Sequence, residues 1–129
     1  MKTASRLSLV IVICFAACRS FVTTTLESEL FEEAMKKVAN PQLIDVRTPE
    51  EFKEGHLPGA ILIDIKEPDF DKVILNLDAE QPVFVYCRSG RRSLKAAKIL
   101  EKNKFRVVYN LAGGINAWKG KDKAVTIPE

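Results

Sequence analysis

The stretch VFVYCRSGRRS, residues 83–93, decides how the chain folds and where its chemistry lies. Its first four residues are apolar, β-branched or aromatic, a composition typical of a buried strand. The strand is expected to end at Cys87, and small or cationic residues follow until a helical pattern begins at Ser93. A thiol between the carboxyl end of a strand and the amino end of a helix is well placed to be held as a thiolate.

Strand and helix patterns alternate on both sides of this stretch. Short apolar or β-branched runs predict further strands at residues 21–25, 43–47, 61–63 and 107–109. Apolar residues at helical spacing predict helices at residues 26–38, 68–77 and 93–102, followed by a short helix that contains Trp118. Thr48 and Glu51 form a capping-box pattern at the start of another short helix. The alternation predicts an α/β domain with a mainly parallel sheet and helices on both faces.

Two of these helices carry more detailed predictions. The first is expected to be capped by Thr25 or Ser28, which are residue types that favour this position. The helix after Cys87 is amphipathic, and its inward-facing residues are predicted to be Leu94, Ala97, Ile99 and Leu100. In mainly parallel sheets of α/β domains, ligands bind outside the carboxyl ends of the strands, and Cys87 is expected to lie there.

The charges are divided unevenly along the chain, although the net charge is only +3 and 129 residues suffice for one domain. Residues 21–86 carry 14 acidic and 6 basic side chains, whereas residues 87–129 carry 11 basic and 3 acidic ones. One interpretation is that the halves neutralise each other across the fold. A compatible one is that Arg88, Arg91 and Arg92 make a local anion site after Cys87. Aromatic residues are not interleaved with these cations, which argues against a nucleic-acid partner.

The first 20 residues have the pattern of a signal peptide. Lys2 and Arg6 make the amino end positive, and residues 7–17 form an apolar run broken only by Ser8. The run is shorter than the roughly 20 residues that span a bilayer. We expect export to the periplasm or cell envelope. The sequence allows two ways in which the leader could be removed. One is ordinary signal-peptide cleavage near Cys18. The other is a lipobox, in which Cys18 is lipidated and its lipid is the only attachment to the membrane. Phe15 stands where most lipoboxes have leucine.

The cysteines exclude two classes of protein. Only Cys87, and at most Cys18, would remain after leader removal, so a disulfide framework is excluded and no metal-ligand spacing is present. The single histidine, His56, lies in a turn that is predicted to be structural. No general base accompanies Cys87 in the loop, and a cysteine–histidine protease is poorly supported. An anionic substrate with a soft electrophilic atom suits this thiolate, and phosphate esters and sulfane sulfur donors both qualify.

Three separated motifs give the chain a resemblance to single-domain rhodaneses, the thiosulfate sulfurtransferase family. They are LIDVR (43–47) with EF (51–52) and GHLPGA (55–60), the loop CRSGRRS (87–93), and LAGGINAW (111–118). The resemblance covers residues 22–128 and implies a five-stranded sheet in a three-layer α/β fold. It implies that Cys87 accepts sulfur as a persulfide and that the sulfur is held by the loop residues Arg88, Ser89, Gly90, Arg91, Arg92 and Ser93.

The resemblance also implies the partners and the supporting residues. A small anionic sulfur donor would load Cys87, and a thiophilic acceptor such as cyanide or a thiol would unload it, with no cofactor or metal. Asp45, Arg47 and His56 are expected to support the site structurally.

Two other functions share this fold. Cysteine phosphatases and arsenate reductases have a loop that is longer by one residue, with histidine before the cysteine and arginine six positions after it. Tyr86 and Ser93 stand at those positions here. The other alternative is a sulfur-carrier or binding module without turnover. A missing cysteine is the usual sign that a domain of this family has lost catalysis, and Cys87 is present here.

Overall fold

A computed structural model describes residues 20–129. Residues 1–19 of the predicted leader, with Cys14 and Cys18, lie outside the described residues. Strands and helices alternate as the sequence predicts. The strands are β1 (Val22–Leu26), β2 (Gln42–Asp45), β3 (Ile61–Leu62), β4 (Val83–Tyr86) and β5 (Val107–Leu111). The helices are α1 (Ser28–Lys36), α2 (Pro49–Glu54), α3 (Phe70–Val73), α4 (Arg91–Lys102) and α5 (Gly114–Gly120).

The five strands form one parallel sheet in the order β1-β5-β4-β2-β3. This confirms the predicted α/β fold and its five-stranded sheet. The central position of β4 explains its composition, because a strand that is covered on both faces reads as a continuous apolar run. All four of its residues are fully buried. Between residues 20 and 129, no helix combines the length and apolar composition that a bilayer crossing requires.

Side chains of β4 alternate between two hydrophobic cores on opposite faces of the sheet. Val83, Val85 and Cys87 pack with α3 and α4, whereas Phe84 and Tyr86 pack with α1 and α5. The alternation continues into Cys87, so the thiol lies on the α4 face and the Tyr86 side chain lies on the other. Two adjacent residues therefore serve two different layers.

Several predicted helix details were wrong. Helix α1 begins at Ser28 with Glu27 at the cap and no side-chain cap hydrogen bond, and Leu26 belongs to β1 instead. The helix predicted at residues 68–77 is a short α3 followed by a 3₁₀ turn, Ile74–Asn76. Helix α4 starts two residues earlier than predicted. Leu94 is 43% exposed, because the buried face of α4 is centred on Ser93, Ala96, Ala97 and Leu100.

Candidate active site

Cys87 follows the last residue of β4 and is only 1% exposed. Hydrogen-bonding groups of residues 89–93 reach its sulfur. The amide of Gly90 donates to Sγ at 3.1 Å, and the Ser93 hydroxyl oxygen lies 3.3 Å from Sγ. The neutral thiol donates to that hydroxyl, while a thiolate accepts from it. The sulfur therefore has the hydrogen-bond donors that a negative charge requires.

Gly90 shapes this cradle through its backbone conformation. Its φ of 106° lies in the left-handed region, which side chains with a Cβ rarely adopt, and it forms the cap of α4. The reversal turns the Gly90 amide toward Sγ and starts the helix at Arg91. Beside the neutral thiol, the Ser93 hydroxyl donates its one hydrogen to the Gly90 carbonyl at 3.2 Å, and this hydrogen turns to Sγ when the thiolate forms.

Burial alone raises the pKa of the Cys87 thiol, because desolvation disfavours a charged sulfur. Hydrogen bonds oppose this effect: the Ser93 hydroxyl contributes most, followed by the amides of Ser93, Gly90 and Ser89. The balance lowers the pKa of Cys87 below its ordinary value. The sequence predicted that the loop residues hold the sulfur, and in the structure the Ser93 hydroxyl and the amides of Ser89, Gly90 and Ser93 do so.

We expect Ser93→Ala to raise the pKa of Cys87, because the thiolate loses the donor that lowers its pKa most. The rate of alkylation by a small reagent at neutral pH should fall by about tenfold. Ultraviolet titration of the thiolate measures the shift directly. Ser89→Ala is the matched control, since its hydroxyl makes no hydrogen bond to the sulfur in the described structure. Equal titration curves for both variants would contradict this role of Ser93.

Helix α5 holds the backbone of the loop from the opposite side. The amides of Ile115 and Asn116 donate to the carbonyls of Cys87 and Arg88 at 2.9 and 3.1 Å. Gly114 makes this approach possible, because a Cβ at this position would overlap both carbonyl oxygens. The motif at residues 111–118 thus contributes to the site, a role that neither its composition nor its spacing indicates.

Arg92 does not present a free charge to the mouth of the loop. Its guanidinium makes a bidentate pair with the Glu51 carboxylate, at 2.7 and 2.8 Å. The predicted capping box is confirmed, since Glu51 also accepts from the Thr48 amide at 3.0 Å. Glu51 therefore joins the start of α2 to the first turn of α4. The hydrogen bonds from Arg92, with smaller contributions from Thr48, lower the pKa of Glu51 to about 2.

This pair makes stability depend on pH in the acid range. A carboxylate whose pKa is lower in the folded state stabilises the protein above its unfolded pKa of roughly 4.3. That contribution is lost as the pH falls toward about 2. We expect Glu51→Gln to unfold about 1 kcal/mol more easily at pH 7, a modest value because the pair is partly exposed.

The difference from the wild type should disappear by about pH 2. Urea denaturation across this pH range measures it, with Glu50→Gln as the exposed neighbouring control. A destabilisation by Glu51→Gln that stays constant down to pH 2 would contradict the ion-pair explanation.

Arg88 and Arg91 differ from Arg92 in having exposed side chains. Within residues 20–129, neither of them pairs with a carboxylate. These two guanidinium groups are therefore the charges of the loop that can meet an incoming anion.

Behind the loop, Asp45 and Arg47 form a buried ion pair whose shortest distance is 2.7 Å. The Tyr86 hydroxyl donates to Asp45 at 2.6 Å and accepts from the Leu57 amide at 3.0 Å. Arg47 also donates to the Gly55 carbonyl. The network links the strand that precedes Cys87 to the turn at residues 55–60. Asp45 and Arg47 were expected to support the site, whereas Tyr86 was not, because its position in an apolar strand indicated only packing.

His56 lies in the same turn and is 8% exposed. Its ring stacks on Phe52 with the centroids 3.7 Å apart, and Nδ1 lies 3.1 Å from the Phe52 carbonyl oxygen. Its backbone pairs with Thr126. These contacts describe a side chain that is packed within the turn.

The chain is similar to known proteins in sequence and in fold. Residues 27–121 match the model of the rhodanese-like domain family. The uncharacterized protein YqhL of Bacillus subtilis is 41% identical over 103 residues, 80% of this chain and 78% of that protein. A sulfurtransferase of Allochromatium vinosum is 32% identical over 109 residues, 81% of this chain and 95% of that protein.

A solved structure extends the similarity to the fold. The solution structure of the polysulfide-sulfur transferase homodimer of Wolinella succinogenes has a TM-score of 0.68 and 25% identity, and covers 81% of this chain and 78% of that chain. The match to the family model and the similarity to these relatives lead to one assignment: the chain belongs to the rhodanese-like domain family.

Proposed function

We propose that the protein is a sulfurtransferase that moves sulfane sulfur from thiosulfate, or a similar donor, to a thiophilic acceptor such as cyanide or a thiol. The observation that carries the proposal is the environment of Cys87, whose sulfur is buried among hydrogen-bond donors that favour a negative charge. The relative named a sulfurtransferase and the polysulfide-sulfur transferase support the same class of reaction.

The reaction proceeds in two displacements through a persulfide. The Cys87 thiolate attacks the outer sulfur of thiosulfate and forms a new S–S bond. The original S–S bond of the donor breaks, and sulfite leaves with its electron pair. The acceptor then attacks the terminal sulfur of the persulfide, and the Cys87 thiolate is regenerated. No external oxidant or reductant enters the balance.

The loop residues have different roles in this proposal. The amides of Ser89, Gly90 and Ser93, with the Ser93 hydroxyl, stabilise negative charge on the sulfur. The exposed guanidinium groups of Arg88 and Arg91 attract the anionic donor. Arg92 positions the first turn of α4 through Glu51.

Mass spectrometry tests the first half-reaction. Incubation with thiosulfate should add one sulfur atom to the protein, and subsequent cyanide should remove it as thiocyanate. A persulfide that forms but is never transferred would favour a sulfur carrier. Hydrolysis of an aryl phosphate without any sulfur transfer would favour a phosphatase, the function that Tyr86 and Ser93 argue against.

We also propose that the domain works outside the cytoplasm, in the periplasm or cell envelope. The proposal rests on the positive amino end and apolar run of residues 1–20. Intact-mass measurement on the protein from fractionated cells tests it and determines whether Cys18 carries a lipid. A cytoplasmic protein that retains Met1 to Ser20 would contradict export.

A further inference from the structure

Helix α4 carries a row of cations on its solvent face, here called the α4 cationic face and defined by Arg91, Lys95, Lys98 and Lys102. All four side chains are exposed, and they lie opposite the buried residues of the helix. At about 100° per residue they fall within an arc of about 60°, and the row is about 16 Å long. Leu94 lies beside its first turn and is 43% exposed.

Without a partner, this row of like charges destabilises the folded domain. Arg91–Lys95 and Lys98–Lys102 are like-charge pairs at i,i+4 spacing, which destabilise a helix by a few tenths of a kcal/mol each. The first turn also carries no acidic residue, although the helix dipole favours one there. In the part of the chain that the structure describes, none of the four cations pairs with a carboxylate. Glu101, the acidic residue of α4, accepts instead from the Thr23 hydroxyl.

The position of the face connects it to the thiol. Arg91 directly follows Gly90, whose amide binds Cys87 Sγ, so the row begins at the mouth of the loop. At its far end lies a cavity of about 330 Å³ that is lined by Phe21, Lys98, Glu101, Lys102 and Lys104. The Lys104 ammonium lies over the Phe21 ring, 5.5 Å from its centroid. A row of exposed cations thus runs from the mouth of the loop to the end of the helix.

We propose that the α4 cationic face docks an acidic protein that carries a reactive thiol and exchanges sulfur with Cys87. The inference rests on the proposed function, since it names the partner of that reaction. Complementary charge relieves the repulsion along the helix, steers the encounter and brings the partner's thiol to the loop. Leu94 supplies an apolar contact beside the mouth.

A protein partner fits these observations better than a nucleic acid does. The α4 cationic face contains no aromatic side chain on which a base could stack. The half of the domain at residues 21–86 has 14 acidic residues against 6 basic ones, which would repel a long polyanion. An acidic protein that binds the α4 cationic face would contact that face and not the acidic half of the domain, and it can supply the thiol.

The test compares two synthetic acceptor peptides, each with one cysteine, flanked by glutamates in one and by lysines in the other. The protein is first loaded as the persulfide. At low salt, transfer to the acidic peptide should be at least about tenfold faster, and the difference should shrink at high salt because of screening. Lys95→Glu/Lys98→Glu should remove the preference. Lys37→Glu/Lys119→Glu, an equal change of charge at exposed positions directly after α1 and in α5, should keep it.

Transfer to 2-mercaptoethanol, a small neutral thiol, should be the same in all three proteins. Equal rates for the two peptides, or equal losses in both double variants, would overturn the proposal. The proposal would also be overturned if an oligonucleotide or anionic vesicles bound more tightly than the acidic peptide and Lys95→Glu/Lys98→Glu abolished that binding.

A peptide with serine in place of cysteine separates docking from chemistry. Its binding, followed by fluorescence anisotropy, should show the same dependence on Lys95 and Lys98. If no persulfide forms, the proposed function fails, and this binding measurement still decides whether the surface recognises an acidic protein.

Discussion

Cys87→Ser is expected to reduce sulfur transfer to the uncatalysed rate, a loss of more than about a thousandfold. Serine keeps a hydrogen-bonding atom at this position, but its hydroxyl is not ionised near neutral pH and is a weak nucleophile. A serine also cannot form a persulfide, so the mass gain after incubation with thiosulfate should vanish. The measurement is thiocyanate formation together with the intact mass of the loaded protein.

The control for this variant is its stability. Cys87 packs in the core on the α4 side of the sheet, and the substitution removes little volume there. Urea denaturation should therefore show a folded, cooperative protein, so that the lost activity reports the sulfur alone. Thiocyanate production by Cys87→Ser at the wild-type rate would refute the persulfide mechanism.

The second large effect concerns stability rather than chemistry. Asp45→Ala is expected to destabilise the fold by about 3–5 kcal/mol, because it leaves the guanidinium of Arg47 buried without its counter-ion. Asp45 is fully buried and Arg47 is 4% exposed. The same change removes the acceptor of the Tyr86 hydroxyl. Urea denaturation at neutral pH measures the loss.

A double variant separates the buried charge from the lost packing. Asp45→Ala/Arg47→Met removes both partners, so no uncompensated charge remains, and it should be more stable than Asp45→Ala alone. If the double variant were instead less stable than the single one, the explanation through a buried charge would be wrong.

The sequence predicted the sheet because the short strands and longer amphipathic segments have distinct periods. It placed Cys87 correctly at the carboxyl end of β4, since the apolar run stops there. The face of α4 was harder to predict. Leu94 is more apolar than Ala96, and composition alone therefore favours its burial. The small side chains of Ser93, Ala96 and Ala97 instead let the helix pack closely against the sheet.

The parts of the site that sequence analysis missed are contacts between distant residues. Arg92 and Glu51 are separated by 41 positions, and so are Tyr86 and Asp45. The spacing of Thr48 and Glu51 predicts that Glu51 caps α2, but it does not show that the same carboxylate faces Arg92 of α4. For the same reason Arg92 was expected to offer its charge to the donor, whereas the folded chain gives that charge to Glu51.

The attachment of α5 makes the loop around the thiol depend on a part of the chain that is synthesised after it. The carbonyls of Cys87 and Arg88 receive their hydrogen bonds from Ile115 and Asn116, in the last helix of the chain. A nascent chain that has been synthesised only through α4 contains the whole loop sequence but not these donors. The backbone that carries the Gly90 and Ser93 donors therefore has its full set of hydrogen bonds only when α5 is docked against it.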